Sequence, residues 1–228
     1  MKILLVDDDQ ELCELLARYL QREGIEVDQV HTGPEGLKQG LAETYDAMVL
    51  DIMLPGMTGL EVLTELRKTS QMPVVMLTAK GDEMDRIVGL EIGADDYLTK
   101  DIGLTHLQAR IAALFRRLEL MATPAVADDL IIHGDLKLDG ARMTVTYDEH
   151  PVALTVTEFW LVHALVRYIG HVKTREQLMQ AANIYVDEDT VSSHIKRIRK
   201  KFLAVSDDFS AIETVYGLGY RWLEIQTK

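Results

Sequence analysis

Residues 47–68 read AMVLDIMLPGMTGLEVLTELRK. Ala47–Leu50 is apolar without alternation, which is the pattern of a strand buried on both faces rather than of one with a wet side. The run stops at Asp51, and a helix over Gly59–Lys68 follows. The same rhythm extends both ways. Upstream stand a strand at Lys2–Val6, a helix at Glu11–Gln21 with Leu12, Leu15, Leu16 and Tyr19 at helical spacing, a strand at Glu26–His31 and a helix at Glu35–Glu43. Downstream come a strand at Pro73–Leu77, a helix at Asp82–Ile92, a short strand at Asp96–Thr99 and a helix at Thr105–Leu118. Five strands alternating with five helices predict an α/β, doubly wound parallel sheet covered on both faces, with right-handed crossovers.

In such a sheet chemistry gathers at the carboxyl ends of the strands. Those ends carry Asp7, Asp8 and Asp9, then Asp51, then Thr78-Ala79, then Lys100. Taken singly, each has a plain reading: an Asp at a strand end often caps a helix, a lone Lys is usually solvated, and a Thr after a strand is usually a cap. What favours chemistry is that all lie at one edge in strand order. Several carboxylates at close range need a cation, and Mg²⁺ prefers oxygen ligands with open positions left for water and phosphate. Asp8 and Asp51, with the main-chain carbonyl of Met53, form the expected ligand set. Asp51 is also the expected nucleophile, since a carboxylate can form an acyl phosphate without a separate base. Lys100 and Thr78 suit the phosphoryl oxygens, and Ala79 leaves room for them.

From Met121 to Asp129 the chain is small, polar and aperiodic, which marks a linker over 120–129 between units at 1–119 and 130–226. Short strands follow at Leu130–His133, Leu136–Leu138, Thr144–Tyr147 and Val152–Leu154, with turn residues at Asp139-Gly140 and Asp148-Glu149. Helices are expected over Thr157–Arg167, Arg175–Ala181 and Asp189–Leu203, and a hairpin over Ile212–Tyr216 and Tyr220–Leu223. In the last helix Val191, Ile195, Ile198 and Phe202 form an apolar stripe. Ser192, Ser193, Lys196, Arg197 and Lys200 point elsewhere, in a pattern that suits a helix lying in a major groove. The plain alternative is a solvated basic face.

The 228 residues carry a net charge of −13, which argues at first against nucleic acid. The charge is uneven: residues 1–120 hold 12 Lys+Arg against 22 Asp+Glu, whereas residues 121–228 hold 12 against 15. Five cations fall within Lys196–Lys201, and an acidic protein binds DNA where its basic residues share one surface. No apolar run reaches the ~18 residues needed to span a bilayer, and the first residues do not form a signal peptide. The single Cys13 excludes an internal disulfide, fits a reducing cytoplasm and sits in a helical pattern as a core residue.

Two groups of motifs resemble a known family. ILLVDDD, VLDIMLPGMTG, VVMLTA and GADDYLTK resemble the receiver domain of two-component response regulators. LTVTEFWLVHALV, TREQLM, DTVSSHIKRIRKKF and IETVYGLGYRW resemble the winged-helix domain of the OmpR/PhoB-type regulators. The receiver looks closer to envelope-stress regulators. The stretch TKDIGLTHLQARIAALFRR looks closer to regulators of proteobacterial dedicated sortase systems. The resemblance implies a flavodoxin-like receiver joined to a winged helix, with Asp51 phosphorylated by a sensor histidine kinase. It implies an acidic pair at Asp7 and Asp8, with Thr78 and Tyr97 as switch residues. On the residues alone, Tyr97 reads equally as a buried sheet tyrosine. The resemblance also implies a phosphorylation-dependent homodimer that binds tandem half-sites in promoter DNA and meets RNA polymerase. Dimer contacts would fall on Arg86, Glu91, Asp95, Asp96, Arg110, Arg116 and Arg117. Arg197 becomes the expected base reader. Thr190, His194, Lys196 and Arg199 become phosphate contacts, beside Ser193 and Lys200.

Four departures from the family pattern stand out. Asp101 follows Lys100 where the family has a cis proline; a non-proline cis bond costs ~2.5–4 kcal/mol, so a trans peptide is expected here. His106 replaces an acid on the dimer face. Asp189 replaces a cation at the start of the DNA-facing helix. Tyr216 stands at the wing tip where many relatives carry Arg. Two other functional classes remain: a phosphatase or phosphotransferase acting on an outside substrate, and a module whose second domain binds protein. The first lacks a substrate pocket in the sequence. Salt dependence separates the second, because five phosphate-contacting cations imply a slope of log K against log salt near roughly −4.5.

Overall fold

The computed structural model describes residues 1–42, 45–78, 92–100, 130–182 and 188–224, together with Gly89, Gly103, Thr105, Gln108, Ala109, Ile111 and Ala112. It divides into two compact units, Met1–Glu119 and Leu120–Lys228.

The first unit is a parallel sheet of β1 (Lys2–Val6), β2 (Glu26–Val30), β3 (Ala47–Asp51), β4 (Val74–Thr78) and β5 (Asp96–Thr99), in the order β2-β1-β3-β4-β5. Helices α1 (Gln10–Arg22), α2 (Gly33–Ala42) and α3 (Gly59–Leu66) lie between the strands. The expected helices over 82–92 and 105–118 fall largely outside the described residues. Alternate side chains of one strand feed two cores. Ile3, Leu5, Val49, Val75 and Leu77 pack with Cys13, Leu16 and Leu20 of α1. Leu4, Val6, Met48, Leu50 and Met76 pack with Val62, Leu63 and Leu66 of α3. Each such side chain fully buried stabilises the fold by about 1.5–3 kcal/mol, which is why β3 has no polar residue before its end.

The second unit opens with an antiparallel sheet, β6 (Leu130–His133), β7 (Leu136–Asp139), β8 (Thr144–Tyr147) and β9 (His150–Pro151). Then come α4 (Val156–Val166), α5 (Arg175–Ala181), α6 (Glu188–Leu203) and the hairpin β10 (Ile212–Val215) and β11 (Gly219–Trp222). The fourth strand lies earlier than the expected Val152–Leu154. Asp148 and Glu149 both take positive φ, at 50° and 62°. A two-residue turn of this kind matches strand twist, so pairing restarts at once with Tyr147 opposite His150. Capping boxes start α4 at Thr155/Glu158 and α5 at Thr174/Gln177. The core ends in an aromatic nest, with Phe202 stacked on Phe209 at 4.5 Å and Trp222 edge-on to both.

Candidate functional site

The carboxyl edge of the first sheet gathers the acids. Register places Val6 beside Leu50 and Asp51 beside Leu77, so β1, β3 and β4 end together. Asp7 is buried, Asp51 is 2% exposed and Asp8 faces solvent. One ligand oxygen from each of the three lies within 4.8 Å of the others. Lys100 leaves β5 and reaches across, with its Nζ 2.8 Å from Asp7 Oδ2 and 3.1 Å from Asp51 Oδ1. Burial pushes the Asp51 carboxyl up to about 6, Asp7 adds to that rise, and Lys100 opposes it. Burial draws the Lys100 ammonium down, but Asp7 and Asp51 outweigh it and hold the pKa above its ordinary value.

The surroundings fix these groups. Asp7 Oδ1 accepts the Asp9 N–H at 3.0 Å, and the Asp7 carbonyl accepts from His31 Nδ1 at 2.8 Å. Asp9 is a helix cap, accepting from Leu12 N–H at 3.0 Å, so the plain reading holds for that acid. Gly59 lets α3 begin hard against the Asp51 main chain: a Cβ there would stand 2.0 Å from the Asp51 carbonyl oxygen. Thr78 ends β4 and is buried. Tyr97 on β5 is buried too, and a Cβ on Gly89 would meet its ring at 3.2 Å. Met53 follows Asp51 by two residues, with its side chain exposed. Cys13 is core, and burial together with Asp7 pushes its thiol up to about 12, so it stays an unreactive thiol.

The donors are all hard oxygens, and the mutual repulsion that raises Asp51 is what a divalent cation would relieve. The residues therefore fit Mg²⁺. Ala79 and Asp101, and the peptide joining Lys100 to Asp101, lie outside the described residues.

The expected dimer set changes at two positions, because Asp95 and Asp96 are both buried. Asp95 has no exposed surface and cannot reach another chain. It accepts from Arg67 Nη2 at 3.2 Å and from Val74 N–H at 3.1 Å. Arg67, itself buried, also donates to the carbonyls of Met72 and Gly93, so the pair ties α3 to β4 and β5. Asp96 accepts from its neighbour's Tyr97 N–H at 2.7 Å. Arg86, Glu91, His106, Arg110, Arg116 and Arg117 lie outside the described residues.

The expected DNA-facing set changes more. Arg197 is 6% exposed, and its Nε donates to Glu158 Oε1 at 2.8 Å. Its Nη2 lies 2.7 Å from His194 Nδ1. Thr190 and His194 are buried. Lys201 Nζ donates to Glu158 Oε2 at 2.7 Å. Arg199 donates to the Ile212 carbonyl and to Thr214 Oγ1, which ties α6 to the hairpin. The cause is a second row: Thr190, His194, Arg197 and Lys201 repeat the spacing of the apolar stripe one position earlier, and Glu158 on α4 supplies the buried anion that accepts them. Of the expected DNA contacts, Thr190, His194 and Arg197 are corrected from surface to interior, while Arg199 is half-buried, as is Lys201. Ser193 is half-buried, while Lys196, Lys200 and Tyr216 are exposed. The side chain of Asp189 lies outside the described residues.

The sequence reading missed a hub at Ser192, whose Oγ accepts from Arg175 Nε at 3.1 Å and from the Tyr220 hydroxyl at 3.0 Å. Tyr220 also pairs by main chain with Lys173, an isolated bridge that ties the hairpin to the segment before α5. No short motif signals this hub, because its members lie on three elements. Glu158 was legible as a cap, since Thr155 stands three residues before it, but not as an ion-pair partner.

A family model described as the response regulator receiver domain matches residues 3–112, and one described as transcriptional regulatory protein, C terminal, matches residues 149–222. The chain is 39% identical over 228 residues to the uncharacterized transcriptional regulatory protein YclJ of Bacillus subtilis, covering 98% of this chain and 100% of that protein. It is 39% identical over 225 residues to the transcriptional regulatory protein CpxR of Klebsiella pneumoniae, covering 96% and 97%. Among solved structures, a RitR mutant aligns with a TM-score of 0.76 at 29% identity, over 98% of this chain and 99% of that one. The Thermotoga maritima response regulator DrrB, described as an OmpR/PhoB homologue, aligns with a TM-score of 0.50 at 32% identity, over 97% and 98%.

Proposed function

Because the chain belongs to the OmpR/PhoB-type two-component response regulators and is a transcription factor with a receiver and a C-terminal DNA-binding domain, we propose that Asp51 accepts a phosphoryl group from a sensor histidine kinase and that this event controls promoter binding. The observation that carries the reading is Lys100, whose ammonium lies within 3.1 Å of both Asp7 and Asp51 across the whole sheet edge. In this reading residues 1–119 are the receiver, 120–129 the linker and 130–226 the effector, and the protein works in the cytoplasm.

One Asp51 oxygen attacks phosphorus while the donor's bond to phosphorus breaks. Asp8, Asp51 and the Met53 carbonyl would hold Mg²⁺, with Asp7 in support, and the ion when bound would supply neutralisation of charge on the phosphoryl oxygens. Lys100 moves its contact from Asp51 to those oxygens, and Thr78 donates to them beside Ala79. Tyr97 packs behind Thr78 as the two-state element. The phosphorylated receiver pairs with a second copy through Arg86, Glu91, Arg110 and Arg117. Two effectors then reach tandem half-sites, through Ser193, Lys196, Lys200 and Tyr216, and meet RNA polymerase. With two exposed α6 lysines each adding about −0.9, the salt slope is shallower than the five-cation figure.

The test treats wild type and Asp51→Asn with a small phosphodonor and Mg²⁺, following intact mass and oligomeric state. Wild type is expected to gain one phosphoryl mass and dimerise, and Asp51→Asn to do neither. No mass gain in wild type removes the phosphorylation reading; mass gain without dimerisation keeps the site and removes the proposed output.

A further inference from the structure

His31 follows β2, a strand that contributes nothing to the expected ligand set, and it is half-buried. Its Nδ1 lies 2.8 Å from the Asp7 carbonyl oxygen. A carbonyl only accepts, so Nδ1 carries the hydrogen and donates it. That carbonyl belongs to the peptide that leads into Asp8. The next peptide is held as well, since the Asp9 N–H donates to Asp7 Oδ1 at 3.0 Å. Asp8 itself is exposed, so packing does not aim its carboxylate; the two flanking peptides do. Cys13 Sγ stands 3.5 Å from the same carbonyl, but a thiol is a weak donor. His31 is therefore the strong pin on the main chain that carries Asp8.

The same corner reaches the other ligand-bearing loop. Gly33 N–H donates to the Pro55 carbonyl at 3.3 Å, and a Cβ on Gly33 would stand 1.9 Å from the Met57 carbonyl oxygen. Residues 31–33 thus brace residues 7–9 through a side chain and residues 52–58 through main chain. Of these braces, the His31 bond is the one that a substitution can remove without forcing the backbone apart. A histidine that served to pack the corner would need its ring and not its N–H. We infer that His31 is a positioning residue for the cation: its Nδ1–H holds the Asp7–Asp8 peptide so that the Asp8 carboxylate meets Mg²⁺ together with Asp51. An outer partner that orients a ligand changes metal affinity by roughly 10–100-fold. His31 acts through the main chain, which puts its effect at the lower end of that range.

This rests on the metal-assisted phosphorylation reading, and the experiment separates the two. Mg²⁺ alone is titrated into the full chain by isothermal titration calorimetry. Phosphoryl mass gain from a small phosphodonor is then timed against Mg²⁺ concentration. His31→Phe keeps a ring and loses the donor, whereas His31→Asn loses the ring and keeps an N–H one bond from Cγ. His31→Phe is expected to weaken Mg²⁺ binding about tenfold and to raise the half-saturating Mg²⁺ concentration equally, with the rate at saturation unchanged. His31→Asn is expected to bind Mg²⁺ as wild type does. Should His31→Phe not fold, His31→Leu takes its place, and the unfolding temperature of each variant is recorded without Mg²⁺. Unchanged Mg²⁺ affinity in the donor-less variant overturns the inference alone, and a fall in its unfolding temperature would then point to corner packing. Equal weakening in His31→Phe and His31→Asn also overturns it, because the ring and not the N–H would matter. So does a lower rate at saturating Mg²⁺ with unchanged affinity, which would place His31 in the transfer step. A wild type that neither binds Mg²⁺ nor gains phosphoryl mass overturns the phosphorylation reading and the inference together.

Discussion

A carboxylate that titrates near pH 6 works against the fold that holds it. Burial first and Asp7 second raise Asp51 from 3.8 to about 6. Below pH 3.8 folded and unfolded chains are both protonated there. Between about 3.8 and 6 the unfolded chain ionises first, so stability falls as pH rises; above 6 the whole loss is present, on the order of 3 kcal/mol. Asp51→Asn should therefore raise the unfolding temperature at pH 7.5, with the gain fading towards pH 4. Thermal unfolding at both pH values checks this, and an equal gain at both would mean that the charge is not the cause. The ordinal pattern of strand ends was enough to place Asp51, Asp7, Thr78 and Lys100 at one edge of the sheet, because the strands that carry them end together. It was not enough to see that Asp95 and Asp96 are both buried. Two adjacent acids read as surface, and only the placement of Arg67 shows what holds Asp95 inside.

At the scale of the helix, polarity misled where spacing did not. The stripe Val191, Ile195, Ile198 and Phe202 lies where the 3.6-residue period puts it. In the polar row beside it, Thr190, His194 and Arg197 read as surface in sequence but are interior, and Lys201 is half-buried, since a single buried anion on α4 can draw in Arg197 and Lys201. Burial alone would raise Glu158, but Arg197, Lys201 and the Thr155 N–H outweigh it and bring it from 4.5 to about 2. The sign is opposite to that of Asp51: the stabilisation is present above pH 4.5 and is lost as pH falls from there through about 2. Glu158→Gln strands two cations and should cost about 3–5 kcal/mol near pH 7. In urea unfolding its difference from wild type should shrink as pH is lowered through the acid range. A cost that does not change with pH would mean packing rather than charge. The hairpin Tyr147–His150 shows the other limit of the sequence. Asp148-Glu149 was legible as a turn, but the side chains do not state that both residues take positive φ, which is what sets the register.

The whole molecule is two units of unlike charge: residues 1–120 carry a net −10, and residues 121–228 a net −3. A polyanion that comes within a Debye length of the receiver, about 10 Å at 0.1 M salt, is repelled by its net charge of −10. The fragment 121–228 should therefore bind a mixed-sequence duplex several-fold more tightly than the unphosphorylated full chain at low salt, and the gap should close as salt is raised. Anisotropy titrations at two ionic strengths decide this; a gap that persists at high salt would mean steric occlusion instead. The buried row on α6 finally bears on how such a chain acquires new targets. The helix cannot roll by one residue without stranding Arg197 and Lys201 away from Glu158, so its angle of presentation is fixed by the domain's own stability. Under the proposed function, changes of operator preference are thus channelled through a few positions, Ser193, Lys196, Lys200 and the wing tip. Under that proposal, drift at those positions rewires the regulon while the fold and the proposed phosphorylation chemistry stay untouched.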